Sequence, residues 1–177
     1  MGKSCLNKLK GNITVDCTFA PVGVKNLYLM HAEDVTTTTD SNTLSILTAK
    51  VASGGVVILV EGYKQNIQIT SAIRTMDASA KMDINVTFKI PRTLPGTIAR
   101  VRSILGGNFY VLAEYVDGTN MFIGHTSPLE CSGVDWDSNA NAGFITVSLA
   151  APEGSAGNYI MGVTAAAVSS IKAKVGG

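Results

Sequence analysis

The clearest pattern along the chain is a strict alternation of apolar and polar residues from Lys81 to Ile90. Met82, Ile84, Val86, Phe88 and Ile90 share one face, while lysine, aspartate, asparagine and threonine occupy the other. Five consecutive alternations predict an antiparallel β-strand that is buried on one face only. Weaker patterns of the same kind predict further strands over Asn12–Phe19, Val24–His31, Asn66–Ile73, Leu129–Trp136 and Phe144–Leu149.

Two other stretches are typical of strands that contact more than one neighbour. Val56–Val60 is an apolar run bounded by Gly55 and Glu61, which predicts a strand buried on both faces or at an interface. The segments Phe109–Val116 and Met121–Gly124 flank the pair Asp117-Gly118, and an Asp-Gly pair between apolar runs predicts a β-hairpin.

One α-helix is predicted after Pro91, over about residues 94–105. Ile98, Val101, Ile104 and Leu105 have helical spacing, with Thr93 or Thr97 as a cap, Pro95 in the first turn and Gly106 at the end. The sequence therefore predicts a mainly β protein, an antiparallel sandwich or barrel with one packed α-helix. It predicts a single domain over residues 1–177.

Two segments fit no packed element of that prediction. Residues 33–55 are rich in threonine and serine, and they predict a long loop or arm with a small apolar patch at Leu44, Ile46 and Leu47. Because loops this long usually bind a partner, we expect these three residues to contact a neighbouring subunit. The tail 164–177 is rich in alanine and predicts either a short amphipathic helix, with Val168, Ile171 and Val175 on one face, or a mobile arm.

Composition excludes several function classes. Fourteen basic and thirteen acidic residues give a net charge of +1, without the basic excess of a nucleic-acid-binding protein. Low charge near neutrality favours association between subunits. No apolar run approaches the length of a membrane span, so we expect no membrane partner. Three cysteines, an odd number in unrelated contexts, indicate reduced thiols in a cytoplasmic setting.

Candidate chemistry is sparse. Asp135, Asp137, Asn139 and Asn141 alternate like the start of a calcium loop, but Ala140 and Thr146 stand where an EF-hand requires glycine and glutamate. A polar turn before a strand is the alternative that the following residues favour. The sequence therefore predicts no metal and no cofactor.

A catalytic set is equally weak. His125, Ser127 and Asp117 would provide a Ser-His-Asp hydrolase, but the glycines of a nucleophile elbow are missing around Ser127. The lone Trp136 is interpreted as core or interface filler. We expect no enzyme.

Three stretches resemble bacteriophage tail tube proteins. These are NFYVLAEYVDGTNMFIGHTSPLECSG, SGVDWDSNANAGFITVSLAAPEG and, for phages of Bacteroidota, DCTFAPVGVKNLYLMHAEDV. The resemblance extends from about Gly11 to Val163. It implies a virion structural protein without catalytic residues, a subunit of a tail tube or of a head–tail connecting ring.

The resemblance also implies the partners. They are further copies of the chain in a hexameric or larger ring, other tail or connector proteins, and DNA that passes through the lumen without sequence-specific binding. Such a protein is assembled in the host cytoplasm and resides in the virion tail. The acidic lumen that is usual in the family is not evident here, because the acidic residues do not cluster. A capsid decoration protein or a carbohydrate-binding adhesin is the alternative, because β-sandwiches host many functions.

Overall fold

The structure, a computed structural model, describes residues 23–62, 66–76, 79–91, 96–136, 143–153, 155 and 158–176. Its strands are β1 (Val24–His31), β2 (Val35–Asp40), β3 (Ser45–Val51), β4 (Val57–Glu61), β5 (Ile67–Met76), β6 (Ser79–Pro91), β7 (Asn108–Tyr115), β8 (Asn120–Ile123), β9 (Leu129–Asp135), β10 (Phe144–Ala150) and β11 (Met161–Val163). Its helices are α1 (Thr97–Ile104) and α2 (Ala165–Lys172), and a short 3-10 turn covers Ala32–Asp34. The prediction of a mainly β fold is confirmed.

The described strands form one sheet with the order β2-β3-β11-β8-β7-β9-β10-β6-β5, and β1 joins β7 to β4. Strand β7 pairs with β1 along one edge, while β8 and β9 divide its other edge between them. Every pair is antiparallel except β11–β3, so the sheet is mixed. Strand β9 pairs with both β7 and β10 and so connects the two parts of the sheet, whose inward residues share one core in a sandwich-like arrangement.

The main core lies between the β1–β7–β8 part of the sheet and the β5–β6–β10 part. It contains the inward residues of the alternating strand β6, namely Ile84, Val86 and Phe88, together with Val101 and Ile104 of α1. The predicted alternation over Lys81–Ile90 is therefore correct for the residues that pack in the main core. The Asp117-Gly118 hairpin is also present, between β7 and β8.

A second core covers the opposite face of β1 and β7. Tyr28, Met30 and Leu112 point into it, and α2 closes it with Val168 and Ile171. The two central strands are consequently buried on both faces. Of the two alternatives for the tail, the structure has the helix, which begins where Thr164 Oγ1 accepts a hydrogen bond from the Ala167 N–H at 3.3 Å.

The segment 33–55 is not a loop, which corrects the prediction. It forms the antiparallel hairpin β2–β3, and β3 also pairs in parallel with β11. Ile46, Ala49 and Val51 are buried in the second core. The spacing of these buried residues, three and then two, does not alternate, so the sequence pattern does not indicate the strand.

Other expectations need smaller corrections. Helix α1 buries only Val101 and Ile104; Ile98 is 72% exposed and Leu105 is 52% exposed. Its N-cap is Gly96 in the left-handed conformation, with no side-chain cap. Strand β4 is fully buried only at Val57. Asn12–Phe19, Thr93 and Pro95 lie outside the described residues.

Adjacent residues of β6 provide a test of the main core. Phe88 is fully buried, so Phe88→Ala should lower the free energy of unfolding by about 3–5 kcal/mol through the cavity it leaves. Thr87 faces the other side, where its hydroxyl lies 3.3 Å from that of Ser148, and Thr87→Ala should cost about 1 kcal/mol or less. Urea denaturation measures both; equal losses would contradict the two-faced assignment of β6.

Candidate assembly surface

The turn between β2 and β3 is built around one carboxylate. Asp40 Oδ1 accepts a hydrogen bond from the Asn42 N–H, and Oδ2 accepts one from the Thr43 hydroxyl, both at 2.9 Å. Both bonds lower the pKa of Asp40, and the bond from the Asn42 backbone has the larger effect. Aspartate and asparagine commonly bond their own backbone in this way, so the turn is set locally by sequence.

Leu44 ends this turn with a backbone that leucine rarely adopts. Its φ is 50°, and it is the single described residue other than glycine with a positive φ. The left-handed region costs an L-residue roughly 1–2 kcal/mol, and glycine or asparagine is the usual occupant. Leu44 leaves 51% of its surface exposed, so only about half of the side chain is buried in the monomer.

Two further exposed apolar residues follow or precede the paired ends of β3 and β11 near Leu44. The Leu44 carbonyl accepts a hydrogen bond from the Gly162 N–H at 3.2 Å, which places Ile160, 37% exposed, at the same end of the sheet. Leu47 is 42% exposed and lies at a β-bulge, where it has no opposite residue on β2. We call Leu44, Leu47 and Ile160 the tip patch.

The third predicted contact residue does not belong to this patch. Ile46 is fully buried, between Ser45 and the bulge residue Leu47. Of the three residues predicted from sequence, the structure therefore leaves two exposed and places one in the core. Ile160 was missed because it is distant in sequence and reaches the patch only through the β11–β3 pairing.

Strand β2, which pairs with β3, lies at an edge of the sheet. Within the described part of the chain, β2 pairs only with β3, so its other edge has no strand beside it. Residues Thr36, Thr38 and Thr39 of β2 are exposed. An unpaired edge is a template for pairing with another chain.

The second core is fixed in place by a polar cluster around Glu114 of β7. Its Oε2 accepts hydrogen bonds from Asn26 Nδ2 at 3.0 Å and from the Tyr28 hydroxyl at 2.9 Å. Its Oε1 pairs with Lys172 Nζ at 2.9 Å. Because Lys172 lies in the last turn of α2, this ion pair holds the helix on the central strands.

The cluster changes the ionisation of its members. Burial alone would raise the pKa of Glu114, but the hydrogen bonds from Asn26, Lys172 and Tyr28 and the lysine charge together lower it to about 2. Burial and the bond to Glu114 raise the pKa of Tyr28, and the same carboxylate raises the pKa of Lys172. No local sequence pattern indicates this cluster, since its members are far apart in the chain.

The residues of the hydrolase hypothesis are not brought together. Asp117 is held in the β7–β8 turn by hydrogen bonds from the Thr119 N–H and hydroxyl, which lower its pKa. His125 follows the other end of β8. With the rise per residue of an extended strand, it lies about 20 Å from Asp117. Ser127 is buried, and its N–H donates to Asn158 Oδ1 at 3.1 Å.

The metal hypothesis finds no support in the described residues. They contain no group of three or more histidine, cysteine, aspartate or glutamate side chains that would hold an ion. Asp135 ends strand β9, which pairs with β10, while Asp137, Asn139 and Asn141 lie outside the described residues. Trp136 is 58% exposed, so of its two interpretations the core one is wrong and the interface one stays a prediction.

Among the described residues, no helix is long and apolar enough to cross a membrane. No family model, curated protein or solved structure matches the chain.

The Glu114 cluster predicts how stability depends on pH. The folded-state pKa of Glu114 is depressed to about 2 from an ordinary 4.5. Its contribution is therefore present above about pH 4.5 and is lost as the pH falls toward 2. Glu114→Gln should remove a pH-dependent stability on the order of 2 kcal/mol, measured by urea denaturation between pH 2 and 6. An unchanged pH profile in the variant would contradict the assignment.

Proposed function

We propose that the chain is a virion structural subunit that assembles with copies of itself into a ring, in a phage tail tube or head–tail connecting ring. The observation that carries the proposal is Leu44, a half-exposed leucine in a left-handed backbone conformation. Strain at a leucine that the monomer buries only by half has a physical reason if the rest of the side chain is buried against another subunit.

The surroundings of Leu44 suit a second copy of the chain. Leu47 and Ile160 extend the apolar surface, and burying such surface contributes about 25 cal/mol per Å². Strand β2 presents backbone donors and acceptors beside it, so a neighbouring subunit can combine apolar contact with strand pairing. A net charge of +1 on 177 residues opposes self-association only weakly.

A contact between two different surfaces of one chain closes into a ring when its rotation permits. The resemblance to tail tube proteins supports a ring of six or more subunits that conducts DNA during genome ejection. The partners would be other tail or connector proteins above and below the ring. A lumen lined by threonine, serine and asparagine would let DNA pass with little attraction to its phosphates.

One observation favours the alternative of a carbohydrate-binding adhesin. Trp136 at the end of β9 and Tyr159 before β11 are 58% and 51% exposed, and exposed aromatic rings offer apolar faces to a ligand. The strained leucine has no role in that alternative, so the ring subunit accounts for more of the structure.

Leu44→Asn tests the proposal because it should change stability and assembly in opposite directions. Asparagine tolerates a positive φ, so the monomer should become more stable by about 1 kcal/mol. Assembly should weaken at least tenfold in subunit concentration, because the apolar contact is lost. Thermal melting of dilute protein and sedimentation of concentrated protein measure the two effects separately.

Leu105→Asn is the matched control. Leu105 is equally exposed, at 52%, but has an ordinary φ of −70°, so its replacement should change neither property much. Normal assembly of the Leu44 variant would show that the tip patch is not the contact. A destabilised monomer would show that Leu44 serves the fold itself.

A further inference from the structure

A groove of about 560 Å³ opens between β4 and the opposite part of the sandwich. Its walls are mainly apolar: Ile58 and Val60 on β4 face Ile90, Ile104 and Phe144. The four consecutive residues from 58 to 61 all line it, so the groove follows the edge of β4 and not only one of its faces.

The backbone of β4 shows which of its groups point into the groove. The Val57 N–H donates to the Lys174 carbonyl and the Val57 carbonyl accepts from the Gly176 N–H, both at 3.3 Å. Val57 therefore bonds away from β1, and alternation gives Leu59 and Glu61 the same direction. The hydrogen bond from Asn66 Nδ2 to the Glu61 carbonyl, at 3.2 Å, agrees with this assignment.

Leu59 in the middle of this edge has backbone groups that face the groove. Among the described residues, β1 is the only strand that pairs with β4, and the bridge to Val175 involves Val57 alone. An unpaired strand edge beside an apolar wall fits one kind of occupant. That occupant is an extended segment with apolar residues at alternate positions.

The chain itself contains such a segment before the first described residue, Gly23. In Asn12–Phe19, Ile13, Val15, Cys17 and Phe19 alternate with Asn12, Thr14, Asp16 and Thr18. The alternation predicts a strand with one apolar face. Its eight residues exceed the five residues of β4.

The same molecule cannot readily place this segment in its own groove. Gly23 lies at the Gly62 end of β4, since Gly62 N–H donates to the Lys25 carbonyl at 2.6 Å. A strand parallel to β4 would need a link from Phe19 to Gly23 over the end of β4. That link would cross the connection from Gly62 to Asn66 at the same end, and folded chains avoid crossed connections.

The opposite direction fails on distance. A strand antiparallel to β4 would put Phe19 at the Val57 end, about 17 Å from Gly23 along the five residues of β4. Three intervening residues reach only about 13 Å. The bonds from Val57 to Lys174 and Gly176 also occupy that end of the edge.

We infer that the groove receives Asn12–Phe19 of a neighbouring copy of the chain, which adds a strand to β4. The exchanged strand would bury the apolar walls of the groove and supply hydrogen-bond partners to Leu59. The same link of three residues would hold the β1 strand of that neighbour within about 13 Å of the groove. The inference rests on the proposed function only in assuming that copies assemble.

Disulfide formation with the native Cys17 tests this contact in the full-length chain. Cys5 and Cys131 are replaced by serine, and Val60→Cys or Ile58→Cys is added, because these positions share the face that Cys17 would occupy. Paired strands bring such residues within disulfide range. Mild oxidation should give covalent dimers and higher ladders on a non-reducing gel, while the control Val116→Cys, at an exposed position on the β7–β8 turn, should not.

Two further variants separate a specific contact from chance oxidation. Val15→Asp, on the apolar face of the segment, should abolish the ladder, while Thr14→Asp, on the polar face, should retain it. Circular dichroism checks that both remain folded. Cross-linking within single chains would overturn the exchange, and so would the absence of any cross-link at positions 58 and 60.

The outcomes also separate this inference from the proposed function. Rings that form without the cross-link would reject the exchanged strand and keep the ring subunit. A specific ladder without rings would keep the exchanged strand and reject the ring subunit.

Discussion

The pairing of β1 with β7 is the constraint on which the rest of the structure depends. Both strands are buried on both faces, by the main core on one side and by α2 with the β2–β3 hairpin on the other. A small domain gains much of its stability from such two-sided burial, since each residue along the strands contributes apolar area. Glu114 of β7 adds the ion pair that holds α2 against these strands. The second core in turn fixes β3, so the tip patch stands at a defined position and not on a free arm.

This arrangement connects the fold to assembly. Ile46 of β3 is buried in the core, while Leu44 and Leu47 beside it in the chain remain exposed. The same short segment therefore contributes both to the core and to an apolar surface. The left-handed backbone at Leu44 costs conformational energy, and the monomer buries only about half of the leucine side chain. Among the described strands, β4 offers a second edge, which beyond its bridge from Val57 to Val175 has no strand paired with it. A subunit with two different unsatisfied surfaces has what a closed ring requires.

Local patterns predicted most of the fold, and distant pairings explain the errors. Strand β6 and the Asp-Gly turn after β7 were predicted correctly because each depends on a pattern within about ten consecutive residues. The β2–β3 hairpin was missed because the bulge at Leu47 interrupts its period and its threonines resemble a loop. Helical spacing identified α1 but not which of its apolar residues a neighbouring element covers. Leu44 and Leu47 were found as apolar residues in a polar stretch, whereas the backbone strain at Leu44 and the proximity of Ile160 require coordinates.

Electron microscopy of the purified full-length protein at high concentration tests the central claim most directly. If the chain is a self-assembling ring subunit, class averages should show rings of six or more equal subunits around an open centre, alone or stacked into tubes. A sample that contains only single subunits of 18.5 kDa at millimolar concentration, alone and with tail or connector proteins, would contradict the account.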